Sequence, residues 1–123
     1  MTRLIVTVPH RSEYPNPITF DAGTRLTVGE RSNGSQGWVD WFLCGTPGQE
    51  DGWVPLQVLE FIDEKTAVAR ENYTARELDV DIGDVLESSR TLNGWAWCVR
   101  VCDEASGWVP LNNVQELPPV ASG

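Results

Sequence analysis

Apolar residues along this chain come in short runs, and no window sustains a 3.6-residue period between helix caps. Residues 4–8, 26–28, 38–44 and 53–56 are alternating or continuous apolar stretches, and a second set follows at 85–86, 95–102 and 108–111. Gly, Asn, Ser, Asp and Pro stand between them, residues that accept turn geometry. Short strands at regular spacing predict an all-β protein built as a small barrel or sandwich. Gly23 and Gly83 each precede a strand, where a positive φ is expected.

The pattern is written twice. Gly-Trp-Val-Pro-Leu occurs at 52–56 and again at 107–111. Val8 matches Val68, Phe20 matches Val80, Gly23 matches Gly83 and Leu26 matches Leu86, all at an offset of 60. Gly37-Trp38 then matches Gly94-Trp95 at 57, and Trp53 and Pro55 match Trp108 and Pro110 at 55. A shrinking offset means shorter loops between the same strands, so the chain divides into two copies of about 60 residues. Modules this small bury only about 60% of their unfolded surface and need dense aromatic cores, which six Trp can supply. The expected organisation is 1–62, 63–117 and a flexible tail at 118–123. The join Glu60-Phe61-Ile62-Asp63-Glu64-Lys65-Thr66 has no Gly, Pro or Ser, so a flexible tether is not expected and the copies are expected to pack as one unit.

The second copy resembles an SH3 domain. Ala67-Val68-Ala69-Arg70-Glu71 stands where that family opens with Ala-Leu-Tyr-Asp-Tyr. Glu77-Leu78-Asp79-Val80-Asp81-Ile82-Gly83-Asp84 is similar to its Glu-Leu-Ser-Phe-x-x-Gly-Asp run. Gly94-Trp95-Ala96-Trp97-Cys98 resembles the Gly-Trp-Trp strand, and Gly107-Trp108-Val109-Pro110-Leu111-Asn112-Asn113-Val114 resembles Gly-x-x-Pro-Ser-Asn-Tyr-Val. The first copy fits through Ile18-Thr19-Phe20, Gly23, Trp38 and Gly52-Trp53-Val54-Pro55. The fold implied is two tandem SH3-like small β-barrels, of the kind also found as bacterial variants.

The resemblance implies a shallow aromatic groove for short, often proline-rich segments. A polyproline II segment is already extended and loses little entropy on docking. An acidic loop then pairs with the ligand's Arg or Lys. Carried over residue by residue, Trp95, Pro110, Glu77, Tyr73, Glu71 and Asn113 form the better groove, and Trp38, Pro55 and Tyr14 the weaker one. The family's opening tyrosines are replaced by Ala69 and Glu71 or by Val68 and Arg70, the closing tyrosine is Asn113, and Pro17 takes the place of Glu77 in copy one. Trp95→Ala is expected to remove binding without unfolding the domain. A second reading makes the pair of barrels an assembly element, its grooves buried between copies or in a homo-oligomer.

Charge and candidate chemistry narrow the field. Eighteen acidic against nine basic residues give −9, which disfavours nucleic acid and anionic membrane as partners and leaves a protein or peptide. No apolar run approaches the roughly 20 residues of a membrane span. The start lacks a signal-peptide pattern and Cys44, Cys98 and Cys102 are odd in number, so reduced thiols and a cytoplasmic location are expected. The same lack of an export signal disfavours a wall-binding role. His10 is the lone histidine, and the cysteines have no metal-knuckle spacing, so neither a metal, a cofactor nor an enzyme is expected.

Overall fold

The computed structural model describes residues 1–13, 15–32 and 40–118. In chain order the strands are β1 (Thr2–Val6), β2 (Thr19–Phe20), β3 (Arg25–Arg31), β4 (Trp41–Gly45), β5 (Gly52–Pro55), β6 (Leu59–Asp63), β7 (Thr66–Ala69), β8 (Tyr73–Thr74), β9 (Val85–Leu92), β10 (Trp95–Arg100), β11 (Ser106–Pro110) and β12 (Val114–Glu116). Single 3-10 turns at Leu56–Val58 and Leu111–Asn113 precede β6 and β12. The described residues are all-β, as the apolar pattern predicts, and none of their helices is long and apolar enough to cross a membrane.

Two compact units form, but they are not the two sequence repeats. Unit 1 combines Met1–Glu13 with Glu77–Gly123, and unit 2 is the continuous Tyr14–Arg76. Unit 1 holds a five-stranded antiparallel sheet in the order β11-β10-β9-β1-β12. Unit 2 holds the same arrangement as β5-β4-β3-β7-β6, with a small β2-β8 ribbon beside it. The opening strands have changed places. β1, first in the sequence, completes the sheet of the second repeat, and β7, which opens the second repeat, completes the sheet of the first. Domain limits of 1–62 and 63–117 therefore cut through both sheets.

The join explains the exchange. Instead of carrying the chain away, it turns back on itself: the Lys65 N–H bonds to Asp63 Oδ1 at 2.8 Å, and β7 runs antiparallel to β6 with Phe61 opposite Ala67 and Leu59 opposite Ala69. Compared with unexchanged repeats, this shortens one closure more than tenfold, worth about 2 kcal/mol of chain entropy. It lengthens the other, β1 to β12, about twofold at a cost of about 0.6 kcal/mol. The tight hairpin wins.

The units correspond residue by residue. Leu4 lies opposite Leu86 as Ala67 lies opposite Leu26. The Val6 N–H bonds to Asp84 O and the Gly83 N–H to Val6 O, as the Ala69 N–H bonds to Thr24 O and the Gly23 N–H to Ala69 O. Val6 thus matches Ala69, and the expected match of Val8 with Val68 is shifted. Gly23 and Gly83 have φ of 88° and 93°, the positive values expected of them. Leu4, Val6, Leu78, Val80, Leu86, Ala96, Cys98 and Val109 form the core of unit 1. Ile18, Leu26, Val54 and Val58 are fully buried in unit 2.

Candidate functional site

In β10, Ala96 and Cys98 belong to the core, so the alternation of a strand turns Trp95 and Trp97 to the opposite face. Trp95 is paired with Pro110 and Trp97 with Trp108, whose indoles meet edge to face at 5.4 Å. Two segments border this pair of strands. The first is the chain after β1, where His10 bridges to Val80 and its ring stands edge-on to Trp95 at 5.6 Å. The second is Glu77-Leu78, whose Leu78 N–H bonds to Trp108 O. Gly107 makes that approach possible: a Cβ there would lie 2.7 Å from Leu78 N and 2.8 Å from Glu77 C. Gly52 has the same duty in unit 2, where a Cβ would meet Ile18 at 2.6 Å.

These segments bring together a histidine and a carboxylate. His10 Nε2 donates to Glu77 Oε1 at 2.6 Å, with both side chains mostly shielded from solvent. Asn113 spans the same end of the unit, its side-chain Nδ2 donating to Val8 O and Pro9 O while its main-chain carbonyl accepts from the Thr7 and Val8 N–H groups. Farther out, Arg11 pairs with Asp81 and the Ser12 N–H bonds to Asp79 Oδ1. Arg100 pairs with Asp103 at 2.9 Å and lies 3.5 Å from Asp84. Arg100 and the Ala105 N–H hold the Asp103 carboxyl below the usual carboxylate range.

Unit 2 presents the corresponding face with different chemistry. Trp41 is paired with Pro55 just as Trp95 is with Pro110. Tyr73 takes the place of His10: it lies opposite Phe20, as His10 lies opposite Val80, and its hydroxyl donates to Trp53 O at 3.0 Å. Pro55 is fully buried, whereas Pro110 is half-buried.

The exchange redistributes the expected site residues. Trp95, Pro110, Glu77 and Asn113 do share unit 1, but Tyr73 and Glu71 belong to unit 2 with Pro55. His10, set aside in the sequence as a lone histidine, is the residue beside Trp95. Trp38 and Tyr14 lie outside the described residues; the tryptophan opposite Pro55 is Trp41. Its signal was present in the sequence, because Trp-x-x-Cys recurs at Trp41–Cys44 and Trp95–Cys98 with each cysteine opposite the glycine of β5 or β11. Trp95 is only 6% exposed and Trp41 5%. Trp95→Ala therefore removes a buried indole and is not neutral for folding, contrary to the expectation from sequence.

Cys44 and Cys98 are buried, and burial pushes their thiols up to about 12 and about 11. Neither is an activated nucleophile. Among the described residues no group of three or more His, Cys, Asp or Glu is arranged to hold a metal.

The variant SH3 domain family model matches residues 4–62. The matched segment is the first repeat in sequence order, so it takes its opening strand from unit 1 and the rest from unit 2. Over 127 aligned residues the chain is 27% identical to Protein BZZ1 of Schizosaccharomyces pombe, an alignment covering 92% of this chain and 19% of that protein. The chain thus spans about a fifth of the length of that curated relative. No solved structure matches the chain.

Proposed function

We propose that this chain is a non-enzymatic protein-interaction module of SH3-like kind whose working face is that of unit 1: Trp95, Pro110, His10, Glu77 and Asn113. Its ligand is an extended protein segment that carries Arg or Lys next to proline. The observation that supports this reading is the Glu77 carboxylate, held against His10 beside Trp95, where the family resemblance locates its acidic selector. Charge-assisted hydrogen bonds between a guanidinium and a carboxylate are about twice as strong as neutral ones. An incoming Arg competes with His10 for Glu77, and displacing the imidazole uncovers Trp95. The half-buried Pro110 completes the apolar floor.

Unit 2 fits this task less well. Pro17 stands where unit 1 has Glu77, and Pro55 is buried. In this reading Tyr73 and Glu71 support unit 2 and do not contact the ligand. The test is an NMR titration with a proline-rich peptide containing two arginines, set against the same peptide with glutamates in their place. The reading requires saturable shifts at the His10 and Trp95 ring signals with the basic peptide alone, and their loss in Glu77→Gln.

The burial of Trp95 and Trp41 favours a second reading, an assembly element that takes no peptide. Sedimentation across a hundredfold range of concentration separates the two. A mass that rises with concentration, with no response to the peptide, selects assembly.

A further inference from the structure

Unit 1 has a recess of about 530 Å³ whose wall includes Leu4, Ser88, Arg90, Leu111 and Glu116. That volume lies within the roughly 300–1,000 Å³ range of ligand pockets. The sheet registers identify its counterpart in unit 2. Phe42 pairs with Arg31 and Val54, as Ala96 pairs with Thr91 and Val109. Phe61 lies opposite Ala67, as Glu116 lies opposite Leu4. Val28 lies opposite Cys44, as Ser88 lies opposite Cys98.

In unit 2 this position is filled from within. The rings of Phe42 and Phe61 meet edge to face at 5.4 Å, and the Arg31 guanidinium lies 5.7 Å from the Phe42 centroid. Unit 1 has the same backbone with alanine and glutamate in place of both rings, and serine in place of a valine. Its walls otherwise retain the apolar surface of Leu4 and Leu111, with Thr91 at the register position of Arg31.

We infer that the recess of unit 1 is a second binding site, which takes an aromatic side chain, tyrosine or tryptophan, from a protein partner in the place that unit 2 fills with its own phenylalanines. Leu4 and Leu111 supply apolar contact. The Glu116 carboxylate supplies an acceptor for a phenol or indole donor, which sets tyrosine and tryptophan above phenylalanine. The site stands or falls independently of the proposed groove.

The test uses the whole chain with labelled leucine methyls and N-acetyl-tryptophanamide as the probe, with N-acetyl-alaninamide as control. The expected result is a saturable shift at Leu4 and Leu111 at millimolar tryptophanamide, with no such shift at Leu56, the unit 2 counterpart of Leu111. Glu116→Phe, which rebuilds the ring of unit 2 on an exposed strand position, is expected to abolish the shift while the six indole signals stay dispersed. An absent or non-saturating response, an equal response at Leu56 or to the alanine amide, or a shift that survives in folded Glu116→Phe overturns the inference.

Discussion

Phe61 lies opposite Ala67 in a hairpin that the chain makes at the junction of its two repeats. That pairing decides which strands share a sheet. Once β7 is taken by β6 and β3, the second repeat lacks an opening strand, and β1 fills the vacancy. Expressed alone, residues 14–76 are therefore expected to fold, with dispersed indole signals and a cooperative melt. Residues 63–123, which lack β1, are expected to remain unfolded or to associate. The reverse outcome for the two fragments contradicts the exchange.

Gly107 permits Glu77-Leu78 to run beside β11 at close range. The atoms that an added Cβ would meet are backbone, which cannot rotate away. Gly107→Ala is expected to cost about 1–3 kcal/mol and to weaken peptide binding by shifting Glu77. Denaturant unfolding and the peptide titration check the two effects. Wild-type stability together with wild-type binding contradicts the role assigned to this glycine.

Trp95 is buried against the edge of His10, so its deletion is a core deletion. Trp95→Ala is expected to lose about 3–5 kcal/mol, enough to unfold a marginal domain, while His10→Ala leaves the core of unit 1 in place. Comparing their melting temperatures checks this. If Trp95→Ala melts like the wild type, the indole packs more loosely than described.

The cysteines give a prediction with a definite sign. Cys44 and Cys98 have thiols raised to about 12 and about 11, whereas in the unfolded chain they ionise near 9.0. Between about pH 9 and 11 the folded state retains two protons that the unfolded state releases. Stability is therefore complete below pH 9 and falls as pH rises through this window, by at most about 2.7 kcal/mol per pH unit for two thiols. A Cys44→Ala, Cys98→Ala double variant is expected to show a flatter decline. At neutral pH a thiol reagent is expected to label only the exposed Cys102 quickly, since the other two are buried.

Much of this was legible in the sequence. Short apolar runs fixed the all-β class, the repeated Gly-Trp-Val-Pro-Leu located β5 and β11, and Gly23 and Gly83 marked the turns before β3 and β9. The partnership of strands was not legible. β1 and β7 are similar apolar strands, and nothing in either specifies which of two nearly equivalent sheets receives it; the choice falls to the turn at Asp63–Lys65. For the same reason His10 and Tyr73 could not be assigned to their tryptophans. Trp41 was missed because the Gly-Trp dipeptide at 37–38 offered a match to Gly94-Trp95 that outweighed the Trp-x-x-Cys spacing.

The central claim is that Glu77, beside Trp95, selects a basic segment. Its most direct test is a titration of the labelled whole chain with an arginine-containing proline-rich peptide, in the wild type and in Glu77→Gln. Saturable shifts at the Trp95 indole and the His10 ring, reduced at least tenfold in affinity by Glu77→Gln with the fold intact, are the predicted result. A wild type that shows no shift at millimolar peptide, or a variant that binds as tightly as the wild type, contradicts the account.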